Sequence, residues 1–375
     1  MKKKCVAFCL RDMQLGGVES VLVRTLDDLS RDKNFDITVV SFVDIAEPQW
    51  VDWFRNHPNI KHIVLYPSKY FGTRMPRFFL WRVIKHACRD IYRFCLRGRA
   101  IRYLSNFDTV VDYHDFGFYA EFKKLSAPKK IAWFHSSINV FVRRKFVNQL
   151  NVYDNVVVLT DDCANELKTL YPQYADKFVR LYNPIEAENI KLKSTEKCPV
   201  RGEYFCSVAR MSYDKDIKTL LNAFDIFWKK HKSVKLVLVG GGDKQEVFEK
   251  HADTLASRKN ILFVGAQKNP YPYIKNAVAN ILSSYGEGFA LVLVESQILG
   301  VLNIASNCKY GPREILLNGA GGLLFVPGDV NALAKHMINV YENATDVKKM
   351  ITQSTRELKR FNKTEIVRQI KSLIS

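Results

Sequence analysis

The sequence predicts an α/β protein of two domains, each built on a parallel sheet with helices between its strands. Three observations carry this. The chain has 375 residues, more than one hydrophobic core holds easily and close to two domains of roughly 100–200 residues each. Short apolar runs alternate with stretches of helical period in both halves, the pattern of strand, helix, strand crossovers. A polar, Lys-rich stretch from Glu186 to Lys197, just after Asn183-Pro184, separates two series of such runs. The expected domains are 1–185 and 186–357, with a helix over about 358–375 that has the option of packing back onto the first.

The first series opens at Lys4 to Leu10, an apolar strand, followed by the turn Leu15-Gly16-Gly17 and a helical pattern at Val18, Val21, Leu22 and Leu26. Further strands are expected at Ile37 to Phe42, Ile60 to Leu65, Thr109 to Asp112, Lys130 to Phe134 and Asn155 to Thr160. The second series has strands at Tyr204 to Val208, Val234 to Val239, Asn260 to Val264, Val278 to Ser283 and Leu302 to Ala305. Between its first two strands, Leu220, Leu221, Phe224 and Trp228 mark one face of a helix. No short fixed repeat runs through the chain, which argues against solenoids and propellers.

Composition excludes several classes. With 47% apolar and 25% charged residues the chain is not disordered. No run of 18 apolar residues suggests a transmembrane span, and Cys5 to Leu10 is too short for the core of a signal peptide. The eight cysteines form no CxxC pair and sit mostly in apolar runs, so reduced thiols are expected rather than disulfides or zinc. Fifty-seven Lys and Arg against 38 Asp and Glu leave a net charge of +19. That excess points to an anionic partner: nucleic acid, a membrane leaflet or a phosphorylated small molecule.

Two loops carry the chemistry. Directly after the strand Val278 to Ser283 comes Ser284-Tyr285-Gly286-Glu287-Gly288-Phe289-Ala290-Leu291, opening a helix that bears Glu295. Amides at such a helix start are suited to a sugar hydroxyl or phosphate, and two carboxylates eight residues apart can reach one polyhydroxy ligand. Solvated surface glutamates are the plainer alternative, although apolar neighbours around Glu295 imply that it has a partner. The second loop, Arg210 to Asp216, places Arg210 and Lys215 at a strand end, where open α/β sheets bind phosphates. Gly240-Gly241-Gly242 is either a third ligand loop or a plain turn.

In this order the motifs resemble the retaining glycosyltransferases of family 4, from about residue 5 to 370 and most strongly over 204–335. The resemblance implies a GT-B fold, two Rossmann-like domains with parallel sheets facing a central cleft. It also implies that Glu287 and Glu295 are the family's paired glutamates, near the transferred sugar and on the ribose hydroxyls respectively. Arg210 and Lys215 then contact the nucleotide diphosphate, and Gly288, Phe289, Ala290 and Leu291 offer amides to sugar and phosphate. Gly16 and Gly17 match the glycine loop that approaches the donor, and His135, in Trp133-Phe134-His135-Ser136-Ser137, the first-domain histidine near the sugar. From its residues alone, beside Trp133 and Phe134, His135 reads rather as a packed or capping strand-end side chain. Ala290 departs from the family, where many relatives carry glycine.

Between Lys69 and Arg102 ten Lys or Arg residues face one acid, Asp90, amid many aromatics. Arg74, Arg77, Phe78, Phe79, Trp81, Arg82, Lys85, Arg89 and Arg93 are candidates for docking on an anionic membrane. If the segment is helical, Phe79, Val83, Ala87, Ile91 and Cys95 form an apolar stripe; the alternative is that this stripe packs on the sheet. No nucleic-acid module accompanies the patch.

The expectation is therefore a metal-independent retaining enzyme without a cofactor, at the cytoplasmic face of the cell membrane. It takes a nucleotide sugar, UDP-linked by preference, and a lipid-linked or envelope glycan acceptor. Rivals are a sugar-nucleotide epimerase, a phosphorylase, or a basic protein binding membrane or nucleic acid without catalysis.

Overall fold

The computed structural model describes residues 3–13, 16–67, 79–126 and 128–375. The chain divides into two units, the first comprising Met1–Leu159, Cys163–Pro184 and Lys363–Ser375, the second Thr160–Asp162 and Ile185–Asn362.

Unit 1 is built on seven strands: β1 (Lys4–Leu10), β2 (Phe35–Ser41), β3 (Lys61–Val64), β4 (Thr109–Asp112), β5 (Lys129–Trp133), β6 (Asn155–Val158) and β7 (Phe178–Arg180). All pair in parallel, in the order β3-β2-β1-β4-β5-β6-β7. Both faces of β1 are covered, so Val6 to Leu10 are wholly buried and the strand reads as an unbroken apolar run rather than an alternation. The helix Lys363–Ile374 belongs to this unit and buries Ile366, Val367, Ile370 and Ile374. It is fastened by Lys129 Nζ donating to the Leu373 carbonyl at 2.6 Å, Thr109 Oγ1 donating to Ile374 at 2.9 Å, and ion pairs Lys371–Asp32 and Lys363–Asp28 at 2.7 Å each.

Unit 2 carries six parallel strands: β8 (Tyr204–Val208), β9 (Lys235–Val239), β10 (Ile261–Gly265), β11 (Asn280–Leu282), β12 (Asn303–Ser306) and β13 (Leu323–Phe325), in the order β10-β9-β8-β11-β12-β13. The helix Ile217–Trp228 begins where Asp216 accepts the Thr219 N–H and buries Leu220, Leu221, Phe224 and Phe227 against Phe205, Leu236 and Ile281 of the sheet. These two sheets bear out the α/β reading. The three-residue strands β7 and β13 were not among the expected ones; each is an edge strand too short to show a period. Among the described residues no helix is long and apolar enough to cross a membrane.

In each sheet the chain winds outward one way and then restarts on the other side, between β1 and β4 in unit 1 and between β8 and β11 in unit 2. Loops at the carboxyl ends of the strands diverge at such a switch point and leave room for a ligand.

Candidate active site

At the unit 2 switch point the loop after β8 meets the loop after β11. Lys215 Nζ lies 2.7 Å from Glu287 Oε1, and the same oxygen accepts Ser284 Oγ at 2.5 Å. Two further bonds lock the loops: Ser283 Oγ donates to the Lys215 carbonyl at 2.8 Å, and the Tyr285 N–H to the Asp214 carbonyl at 2.9 Å. The ammonium and carboxylate side chains are only 16% and 11% exposed, so their attraction is weakly screened. Arg210 stands exposed at the mouth of the same loop. Cys308, in the loop after β12, lies close enough to feel both charges; burial, with Glu287 second, pushes its thiol up to about 11.

The glycine triplet resolves as a support for this loop. Gly240, at φ +139°, and Gly242 pack so tightly on the Ala209 and Met211 carbonyls that a Cβ on either would collide with backbone. The Met211 N–H donates to Gly241 at 3.0 Å, and the Lys244 N–H to Met211 at 3.1 Å, holding Arg210 from behind.

Beyond Glu287 the chain turns at Ala290, which adopts a left-handed conformation (φ 66°, ψ 63°) and opens the helix Leu291–Ile298. This geometry explains why glycine suits the position. Phe289 is buried beneath the turn, and the amides of Leu291 and Val292 have no intrahelical acceptor. Glu287 thus precedes the helix, while Glu295 sits in its second turn and accepts Tyr271 Oη at 3.2 Å. The apolar neighbours predicted a partner for Glu295; nothing in the sequence named Tyr271, 24 residues away. The structure therefore gathers Arg210, Lys215, Glu287, Gly288, Phe289 and Ala290 on the loops that follow β8 and β11, with Leu291 and Glu295 on the helix that the second loop opens.

Gly16, Gly17 and His135 belong to unit 1, at its own switch point. Gly16 caps the helix Gly17–Ser30, and a Cβ on it would stand 2.7 Å from Glu19 Oε2. The His135 N–H donates to Asp115 Oδ1 at 2.7 Å, and Ser136 Oγ donates to the other carboxylate oxygen of Asp115. Burial, then the neighbouring His114, push the His135 imidazole down to about 3, so the ring is neutral at physiological pH, and its Nε2 has no hydrogen-bond partner among the described residues. Among the described residues no cluster of three or more His, Cys, Asp or Glu side chains is placed to hold a metal.

Residues 190–357 match the family model of the glycosyl transferases group 1. The chain carries a group 1 glycosyltransferase domain. That domain contains Arg210, Lys215, Glu287 and Glu295, while Gly16, Gly17 and His135 lie outside it. Among curated proteins the chain is 24% identical over 241 residues to the N-acetylgalactosamine-N,N'-diacetylbacillosaminyl-diphospho-undecaprenol 4-alpha-N-acetylgalactosaminyltransferase of Campylobacter jejuni, covering 64% of this chain and 65% of that one. It is 26% identical over 164 residues to the lipopolysaccharide 1,6-galactosyltransferase of Salmonella typhimurium, covering 43% and 45%. The chain thus spans less than two thirds of the length of these relatives. The structure of Anabaena Alr3699/HepE in complex with UDP superposes with a TM-score of 0.76 at 16% identity, over 98% of this chain and 99% of that one. With its two parallel sheets, the chain has the GT-B fold class expected of the group 1 domain.

The basic segment departs from the expected arrangement. Arg74, Arg77 and Phe78 lie outside the described residues; Phe79, Trp81, Arg82, Lys85 and Arg89 fall on the helix Phe79–Leu104, with their side chains outside the described set. Arg93, a docking candidate, turns inward: its guanidinium lies 5.1 Å from the Phe42 ring centroid and 5.9 Å from that of Tyr66. Arg97 reaches buried Glu121 at 3.3 Å. Of the expected apolar stripe, the described side chains of Ala87, Ile91 and Cys95 are exposed, so they do not pack on the sheet as the alternative had it; Ile91 is 64% and the neighbouring Phe94 73% exposed. Burying a cation over aromatic faces and beside a carboxylate is what allows the arginines to take the inner side.

Proposed function

We propose that the chain is a retaining glycosyltransferase that moves a sugar from a nucleoside diphosphate sugar, UDP-linked by preference, to a hydroxyl of a lipid-linked or envelope glycan, without a metal ion. The observation that carries this reading is the Lys215–Glu287 pair beside the helix start at Ala290, within the group 1 domain. Arg210 and Lys215 neutralise the departing diphosphate, so that charge developing in the transition state meets preorganised cations. Glu295, steadied by Tyr271, takes the ribose hydroxyls, and Glu287 with the first-turn amides orients the transferred sugar. His135, neutral, accepts a sugar hydroxyl through Nε2. The names of the Campylobacter and Salmonella relatives, and the UDP of the Anabaena structure, support the substrate classes.

On this reading the protein works as a peripheral protein at the cytoplasmic face of the cell membrane. Exposed Ile91 and Phe94, with exposed Arg99 and Arg102 on the same helix, supply apolar and cationic contact to an anionic leaflet.

Thermal shift against UDP, GDP, ADP, dTDP and CMP, each with and without EDTA, tests the donor site, because a ligand of the folded state raises the melting temperature. Stabilisation by one nucleoside diphosphate, indifferent to EDTA and lost in Arg210→Ala, is the expected result. No stabilisation by any of them would refute it. Conversion of a sugar nucleotide with no acceptor present would instead identify an epimerase.

A further inference from the structure

A second set of polar groups converges at the unit 1 switch point, apart from the glycine loop's backbone and outside the group 1 domain. It comprises Glu19 in the first turn of the helix after β1, Tyr113 and His114 just after β4, and His135 after β5. The Arg11 N–H donates to His114 Nδ1 at 3.2 Å. That nitrogen is therefore the acceptor, and in the neutral ring the proton sits on Nε2. Burial holds the His114 imidazole below its ordinary value, against the opposing pull of Asp12 and Asp115, so the neutral form is the relevant one.

His114 Nε2 faces Glu19 Oε1 at 3.9 Å, too far for a hydrogen bond. A hydroxyl oxygen placed to one side of that line, about 2.8 Å from each atom, would accept from Nε2–H and donate to the carboxylate. Glu19 is 8% exposed, and its other oxygen occupies the space that any side chain at position 16 would claim. The carboxylate is thus fixed, and the positive helix end stabilises its charge.

A second observation points to a ligand at the same place. Tyr113 is 1% exposed, yet its hydroxyl has no hydrogen-bond partner among the described residues, and neither has His135 Nε2. The two rings lie 4.7 Å apart. Buried polar atoms left unpaired are destabilising by about 1–3 kcal/mol each, a cost that a ligand's hydroxyls offset. The set mixes donors, His114 Nε2–H and Tyr113 O–H, with an acceptor, Glu19. Such a mixture matches neutral sugar hydroxyls, which donate and accept at once, whereas Glu19 repels a phosphate.

We propose that Glu19 and His114 together hold one hydroxyl of the acceptor glycan, with Tyr113 beside them. This rests on the glycosyltransferase reading, in which unit 2 already supplies the groups that suit the nucleotide. The pair would then select an acceptor by the position of that hydroxyl.

The test uses octyl glycosides of glucose, galactose, N-acetylglucosamine and N-acetylgalactosamine as probes, with binding followed by saturation-transfer NMR in the presence of UDP. The expected result is that the whole protein binds at least one glycoside, that Glu19→Ala and His114→Phe weaken it at least tenfold, and that Glu19→Gln, which keeps an accepting oxygen, retains most of it. Stabilisation by UDP should be unchanged in all three variants, and hydrogen exchange resolved along the chain should show unit 1 as protected in each as in the wild type. Binding that survives Glu19→Ala, or no binding of any glycoside by a wild-type protein that UDP stabilises, overturns the proposal and leaves the donor reading standing. Absence of any nucleotide stabilisation in the wild type overturns both.

Discussion

Lys215 and Glu287 are 72 residues apart in the chain and 2.7 Å apart in space, and their ion pair joins the two loops that diverge at the switch point of the second sheet. On the proposed function, a diphosphate arriving beside Lys215 competes with Glu287 for the same ammonium. The carboxylate therefore keeps the cation in position before the ligand arrives, at little reorganisation. Replacing Lys215 by Met should lower kcat/KM at least about a hundredfold. It also leaves Glu287 unpaired and largely desolvated, costing about 1–3 kcal/mol, less than the 3–5 of a fully buried pair. Steady-state kinetics and a urea melt separate the two effects; an unchanged kcat/KM would remove Lys215 from the chemistry.

Tyr271 acts through Glu295. Its 3.2 Å hydrogen bond orients the carboxylate that, on the proposed function, takes the ribose hydroxyls. Tyr271→Phe should raise the KM for the donor roughly threefold to tenfold, the loss of one part-buried bond to a charged group, with little change in kcat. A fall in kcat at constant KM would place Tyr271 in the transition state instead.

Ala290 holds φ 66°, a conformation that disfavours a Cβ by roughly 1–2 kcal/mol. Glycine relieves that strain but gains freedom in the unfolded chain, which offsets about 0.4–1 kcal/mol. Ala290→Gly should therefore stabilise unit 2 slightly, by about 1–3 °C in calorimetry. A lower melting temperature would mean that the methyl group makes packing contacts worth more than the strain.

Asp112, buried at the end of β4, is pushed up to about 7 by burial, against the pull of hydrogen bonds from the Phe118 N–H and Tyr153 O–H at 2.8 Å each. In the unfolded chain the carboxyl titrates near 3.8. Between these values the unfolded state has released a proton that the folded state keeps, so stability falls as pH rises through this window and levels off above it. Asp112→Asn removes this dependence. Urea midpoints of wild type minus variant should decline from acid to neutral pH, and a flat difference would show that Asp112 does not titrate there.

The helix Lys363–Ile374 completes the core of unit 1. Ile370→Asp places a carboxylate at a fully buried position and should destabilise unit 1 by several kcal/mol, while UDP still stabilises unit 2. Hydrogen exchange resolved along the chain distinguishes this local loss from global unfolding.

What the sequence discloses depends on how local the determinant is. The strands β1 and β8 are continuous apolar runs and declare themselves; β7 and β13 are three residues long and depend on their neighbours in the sheet. The placement of Arg210, Lys215, Glu287 and Glu295 was readable because loop, strand end and helix start are contiguous in the chain. Glu295's partner Tyr271, and the approach of Cys308 to Glu287, arise only from tertiary packing. In the helix Phe79–Leu104 the pattern misled, because a charged side chain is assumed to face water. Arg93 and Arg97 instead find Phe42, Tyr66 and Glu121, while Ile91 and Phe94 are exposed. Glu19 had a local signal that went unread, an acid three residues after Gly16 at a helix start.

Because the helix Lys363–Ile374 is translated after the whole of unit 2, synthesis and folding run in different orders. The strands of unit 1 emerge first yet wait for that helix, leaving the apolar surfaces beneath Ile366, Ile370 and Ile374 uncovered while Ile185–Asn362 is being made. The unit encoded second can therefore be the first to reach its native state, and the interval is when the nascent chain is most in need of a chaperone.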